Sequence, residues 1–324
     1  MAAFADRLFG AVEKKGSAVV VGLDPDPRLI PRAYFPAGAG TGGARERLAR
    51  GVVAFCEEIL DAVRDVAVAV KPQLAYYERL GPAGMAAYER IVELAQQRGL
   101  LVIADGKRND IASTAAQYAA AYLGGAGSHG EPAAAGAEGA DGAWLDAADQ
   151  EGPKADALTV NPYLGWDGIE PFVTAAGRER GLFVLVKTSN PSSAQLQDRI
   201  VAAEKRPLSV AEVVAGWLEE FAACTKGACG YGSVGAVVGA THPRQLAALR
   251  QAMPHVPFLI PGYGAQGGTA QDVAGGFDAQ GRGAVVNASR SILYAYRAAG
   301  RPVAEAARRA AVEMRDALRR ALGL

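Results

Sequence analysis

The sequence predicts a single-domain α/β protein of the (β/α)8 TIM-barrel class, eight parallel strands closed into a barrel and wrapped in helices. Three observations predict it. Eight short β-branched runs recur along the 324 residues, and helix-period stretches lie between them, as repeated βα units require. The runs are apolar nearly throughout rather than alternating, which is how strands covered on both faces read. Half the residues are hydrophobic, enough for a substantial core, and barrels of this kind use chains of this length as one unit. One domain is therefore expected over 1–324.

The elements follow in order. The opening MAAFADRLFGAVEKKG breaks its apolar positions with Asp6 and Arg7, which suits an amphipathic helix better than a secretion signal. SAVVVGLD (17–24) is the first strand and DVAVAVK (65–71) the second. The helical pattern GMAAYERIVELAQQRG (84–99) leads into the third, GLLVIAD (99–105). ADALTVN (155–161) and GLFVLVK (181–187) are the fourth and fifth. VAEVVAGWLEEFAACT (210–225) reads as the helix before SVGAVVG (233–239), and VPFLIPG (256–262) and GAVVNAS (283–289) complete the set. Between the third and fourth strands, residues 124–153 are Gly/Ala-rich with weak periodicity, which predicts a mobile surface insertion. A doubly wound sheet is the alternative architecture, but the glycine-rich GYGAQGG follows strand seven, not strand one where a dinucleotide fingerprint belongs.

Charge and composition exclude several function classes. With 34 basic and 34 acidic residues, no global field favours nucleic acid or an anionic membrane. No apolar run approaches the roughly 18 residues of a membrane span. Cys56, Cys224 and Cys229 are odd in number and lack a framework spacing, which points to a reducing compartment, and C-x4-C without a nearby histidine pair is a poor zinc site. A cytoplasmic protein is expected. The histidines His129, His242 and His255, and Trp144, Trp166 and Trp217, read as structural or loop residues.

Barrel enzymes place their chemistry where the strands end, so the strand endings are read as a set. They are Asp24, Lys71, Asp105 with Lys107, Asn161, Lys187, Gly262 and Asn287. The chain holds only eight lysines against 26 arginines, yet three of the eight stand at these endings. Lysine is a compact point charge that can give up its proton when its surroundings are tuned, so this placement points to proton chemistry. Asp105 and Lys107 are two apart, on the same side of an extended backbone, with Gly106 leaving room between them. Asp110 is placed to reach around Lys107. Opposed charges at about 4 Å keep each other ionised, so an array with Asp24 and Lys71 would hold a carboxylate beside a substrate without neutralising it.

The other half of the mouth carries a second signal. IPGYGAQGGT (260–269) and NASRSI (287–292) follow strands seven and eight, where barrels commonly bind phosphate through backbone N–H groups. Arg290 can supply a charge-assisted clamp and Gln266 a neutral donor.

The set GLDPDP (22–27), VKPQ (70–73), ADGKRNDI (104–111), NPYLG (161–165), KTSNPSS (187–193), PGYGAQGG (261–268) and NASRSI (287–292) resembles the orotidine 5′-phosphate decarboxylase family, and more narrowly its longer-chain bacterial branch. The match spans the barrel in order; only 124–153 has no counterpart. The resemblance implies a lyase without metal or cofactor that converts orotidine 5′-monophosphate to UMP and carbon dioxide. It implies that Asp105 faces the substrate carboxylate, that Lys107 delivers a proton to C6, and that Lys71 and Asp24 hold the ribose hydroxyls. Asp110, with Ile111 and Thr114 nearby, would reach into the site of a partner subunit, so a homodimer is implied. Ser189 matches a pyrimidine-contacting serine, Gln266 and Arg290 a phosphate-binding pair, and the loop around Gly267 would close over the phosphate beside Asn287. Two rivals remain: a magnesium-dependent phosphosugar decarboxylase of the same superfamily, and a non-catalytic nucleotide-binding barrel.

Overall fold

A computed structural model describes residues 2–35, 42–124, 152–203 and 206–324. Eight parallel strands close into a barrel: β1 (Val19–Leu23), β2 (Ala69–Pro72), β3 (Leu101–Arg108), β4 (Ala157–Val160), β5 (Gly181–Lys187), β6 (Val234–Val238), β7 (Phe258–Ile260) and β8 (Ala284–Ala288). The wall closes where β1 pairs with β8, Val19 opposite Val286. Each strand falls on its expected run, and β3 continues past Asp105 to Arg108.

The near-continuous hydrophobicity of these runs has two destinations. Along β1, Val19, Val21 and Leu23 face the surrounding helices, while Val20 faces the barrel interior. The interior layer, including Ile103, Phe183, Leu259 and Val285, is sealed at the strands' N-terminal end by the amphipathic helix Phe4–Lys15, which buries Phe4, Leu8 and Phe9 against it. Phe4 meets Phe183 edge to face, with ring centroids 6.0 Å apart. Asp6 and Arg7, the residues that break the apolar opening stretch, sit on the helix's polar side. Arg7 pairs with Asp156 at 2.6 Å, and Asp6 accepts the Cys229 N–H at 2.7 Å. With Phe4, Leu8 and Phe9 filling this end of the barrel interior, the strands' C-terminal ends are the natural place to look for a ligand cavity.

The expected helices at 84–99 and 210–225 appear as Pro82–Gln97 and Val210–Cys224. A small antiparallel hairpin, Ile200–Val201 with Leu208–Ser209, was not legible, because two-residue arms carry no periodicity. The Gly/Ala-rich stretch does connect β3 to β4, but the expectation of a mobile insertion over 124–153, with His129 and Trp144 inside it, lies outside the described residues. Among the described residues, no helix is long and apolar enough to cross a membrane.

Candidate active site

The C-terminal ends of the strands surround a cavity of about 460 Å³. Asp24, Lys71, Asp105, Lys107, Ser189, Gln266, Asn287 and Arg290 all line it, so residues spread over more than 260 positions of sequence meet at one site. At its floor, Asp105 is 5% exposed and bonded on three sides. Its Oδ2 accepts from the Lys71 ammonium, and its Oδ1 accepts from Lys107 Nζ at 2.6 Å and from Thr159 Oγ1 at 2.9 Å.

Burial alone would push the Asp105 carboxyl up, but the two ammoniums outweigh it by charge and hydrogen bonding and hold it well below the usual carboxylate range. For Lys71, buried in turn, desolvation pulls downward, and the carboxylates of Asp105 and Asp24 more than reverse it, so its ammonium is held above the ordinary lysine range. At the floor of this array, Asp105 and Lys71 are thus both ionised near neutral pH. Lys107 is its open end, with a side chain 45% exposed against 7% for Lys71. Asp24 Oδ1 and Asn287 Oδ1 are buried and have no hydrogen-bond partner among the described residues, which leaves two acceptors for a polar ligand.

The juxtaposition of Asp105 and Lys107 is as expected, but its cause differs. Simple alternation on an extended strand does not produce it. Lys107 has φ of 46°, and β3 shifts register against β4 between Ala104 and Arg108, so the lysine sits on a bulge. Bulges re-aim side chains, and this one turns Lys107 back toward Asp105. A Cβ at Gly106 would come within 2.8 Å of Leu74 Cδ1, so a side chain there would require the end of that leucine to shift. Among the described residues, the non-glycine positions with left-handed φ are Lys107 and Ala112, and they flank Asp110. Backbone strain of this kind collects at functional sites.

The opposite wall is built from the loops after β5, β7 and β8. The glycine loop folds on itself, Gly267 N–H donating to Gly264 O at 2.8 Å and Gly268 N–H to Gly262 O at 3.1 Å. Gly267 takes φ of 92°, which a side chain would resist; it shapes the loop and does not itself line the cavity. Gln266 and Arg290 are exposed at the rim.

Some expected residues are not brought to this cavity. Asp110 is half-buried with its Oδ1 on the Ile111 N–H at 2.9 Å, Ile111 is 47% exposed, and Thr114 is exposed. Lys187, counted among the lysines at the mouth, is turned away: its ammonium is fully buried and pairs with Asp198 at 2.7 Å. Ionic pairing with a residue eleven positions further along the chain could not be read from spacing. The cavity also holds residues that motif reading missed. Thr159 both bonds Asp105 and accepts the Lys107 N–H at 2.9 Å, yet a threonine inside an apolar strand gives no signal. Gln197 ties down the loop after β5, accepting from Thr188 N–H at 2.9 Å and donating to Thr188 Oγ1 at 2.8 Å. His242 and His255 do not line the cavity; the second pairs with Glu219. Among the described residues, no cluster of three or more His, Cys, Asp or Glu is placed to hold a metal ion.

A family model described as orotidine 5′-phosphate decarboxylase / HUMPS matches residues 17–138 and 146–310. The orotidine 5′-phosphate decarboxylase of Rhodopirellula baltica is 44% identical over 327 residues, covering 98% of this chain and all of the relative. That of Clostridium perfringens is 38% identical over 322 residues, covering 98% of this chain and 99% of the relative. Among solved structures, the OMP decarboxylase of Leishmania donovani superposes with a TM-score of 0.69 at 28% identity, covering 99% of each chain.

Proposed function

The chain belongs to the orotidine 5′-phosphate decarboxylase / HUMPS family, and on that premise we propose that it decarboxylates orotidine 5′-monophosphate to UMP and carbon dioxide. The observation that carries this reading is the array on the cavity floor, in which Asp105 is held ionised between Lys71 and Lys107. Loss of carbon dioxide breaks the bond between C6 and the carboxylate carbon and leaves the electron pair on a vinylic carbon. An ammonium fixed beside that carbon stabilises the developing charge and then quenches it by giving up its proton. Lys107 is the ammonium with an open side, and Asp105 holds it in place. The carboxylate of Asp105 facing the substrate's own carboxylate adds repulsion in the ground state that is relieved as carbon dioxide departs.

The remaining groups divide the rest of the substrate. Lys71 and the unpartnered Asp24 oxygen suit the ribose hydroxyls, with Asn287 beside them. Ser189 contacts the pyrimidine, and Gln266 and Arg290 with the loop around Gly267 hold the phosphate. Phosphate binding far from C6 can then be used for positioning at the reacting centre. Asp110, Ile111 and Thr114 serve the partner's site in a homodimer; their absence from the lining of this chain's own cavity, with Ile111 and Thr114 exposed, supports that reading. In this scheme the reaction needs no resident metal or cofactor, and the protein is read as cytoplasmic and as acting at the last step of UMP formation. The 124–153 stretch is read as an insertion on the single barrel domain, outside the chemistry.

The test is the loss of absorbance from orotidine 5′-monophosphate, run with and without EDTA. Turnover unaffected by EDTA is expected. Magnesium-dependent turnover of a phosphosugar would favour the first rival, and binding of UMP without any turnover would favour the second.

A further inference from the structure

The residue after Lys107 is gripped from outside the barrel by groups that the chemistry above does not use. The Arg108 side chain is 19% exposed. Its guanidinium forms an ion pair with Glu78, donates to Tyr122 Oη at 2.9 Å, and reaches back to the Gly106 carbonyl at 3.3 Å. It also lies 5.2 Å from the ring centroids of both Tyr118 and Tyr122. Glu78 ends the helix Leu74–Glu78 after β2, and the two tyrosines stand on the helix Ala112–Leu123 after β3. One side chain thus ties three elements together at the position next to the lysine.

That position is where the strand recovers. Register with β4 is lost after Ala104 and regained at Arg108, opposite Val160, and the Arg108 carbonyl accepts the Asn161 N–H at 2.9 Å. Between the two lies Lys107 in a left-handed conformation that a non-glycine residue holds only when its surroundings over-determine it. Thr159 fixes the lysine's own N–H from the inner side. On the outer side the fixture is Arg108, held by Glu78 and Tyr122 and reaching back to the Gly106 carbonyl. Only a planar, permanently charged group can fork to a carboxylate and a hydroxyl while stacking on aromatic faces, so lysine could not replace it in full.

We propose that Arg108 is a positioning residue for Lys107: its clamp on Glu78, Tyr118 and Tyr122 holds the bulge in β3 and so aims the Lys107 ammonium at Asp105 and the reacting carbon. The proposal rests on the reading of Lys107 as proton donor. It separates aim from binding, because the clamp faces away from the cavity and touches none of the groups that line it. Losing the clamp should lower kcat while leaving affinity for UMP intact.

The test compares wild type with Arg108→Gln, Arg108→Lys, Glu78→Gln and Tyr122→Phe, with Lys107→Ala alongside. Thermal melting reports folding, calorimetry with UMP reports binding, and steady-state kinetics with orotidine 5′-monophosphate report kcat and KM. Arg108→Gln is expected to lose about tenfold or more in kcat per folded molecule, with UMP affinity within about threefold of wild type. Arg108→Lys and Tyr122→Phe, which each keep part of the clamp, should lie between. If Arg108→Gln does not fold, Glu78→Gln and Tyr122→Phe carry the test, since both leave the guanidinium in place. A kcat within about twofold of wild type in every folded variant overturns the proposal, as does a fall in UMP affinity that matches the fall in kcat. A wild type without turnover, or an active Lys107→Ala, sinks the decarboxylase reading instead, whatever Arg108 does.

Discussion

Asp105 is a carboxylate in a place that should neutralise it, and its two ammonium partners prevent that. The pH dependence follows from the direction of each shift. Asp105 is held below the usual carboxylate range, so its contribution to stability is complete above the unfolded value near pH 4 and fades as acid is added toward the lowered folded value. Lys71 is held above the ordinary lysine range, so its contribution is complete below about pH 10 and fades as the pH rises through the raised folded value. Asp105→Asn should destabilise the protein by about 3 kcal/mol, the low end for a broken buried pair because Asp24 still faces Lys71. Urea unfolding should show that difference to be flat from pH 5 to 9 and to shrink below about pH 4. Lys107→Ala, in contrast, removes a 45% exposed side chain. It should fold and melt as wild type does while kcat falls by far more than the roughly hundredfold that marks the smallest general-acid effect. A variant retaining more than that fraction of wild-type kcat would remove Lys107 from the role of proton donor.

At the scale of the element, the two ends of the barrel separate stability from chemistry. The helix Phe4–Lys15 plugs the N-terminal end, and Phe9, 1% exposed, packs on Tyr231 with ring centroids 4.7 Å apart. Phe9→Ala should cost about 3 kcal/mol or somewhat more through lost burial and the cavity left behind. Because that end is remote from the cavity, kcat per folded molecule should not change. Thermal melts paired with active-site titration check both halves, and a fall in kcat at full folding would mean that the plug reaches the catalytic end. The strand β3 behaves oppositely: its first half is ordinary barrel wall, and its last four residues, Asp105 to Arg108, are a strained segment where the wall gives way to the site.

At the scale of the whole molecule, the claim at risk is that two copies share each site. If Asp110 serves its partner, Lys71→Ala and Asp110→Ala homodimers should both be nearly inactive, since every site in each lacks one needed group. In a mixed dimer one site collects both substitutions and the other collects neither. Equal mixing with full subunit exchange should therefore restore about a quarter of wild-type activity, as an isologous pair dictates. Native mass spectrometry confirms exchange; activity that stays at the parental level after exchange would assign Asp110 to its own subunit's site.

Taken alone, the sequence determined the eight strands and their order, because continuous β-branched runs separated by helical periods admit few other architectures. It also picked out strand endings that meet at the candidate site, since Asp24, Lys71, Asp105, Lys107, Ser189, Gln266, Asn287 and Arg290 stand in motifs and line one cavity. Tertiary structure alone decided the rest, for reasons of direction and distance. Lys187 ends its strand as Lys71 does, but it turns outward to Asp198, a choice between two sides of a wall that composition does not encode. Thr159 is one polar residue in an apolar run until β4 lies beside β3 and brings its hydroxyl to Asp105. Lys107 reaches Asp105 by a bulge and a left-handed backbone, not by alternation, because the contacts that hold that geometry come from helices after β2 and β3 and from β4, which only folding assembles around it.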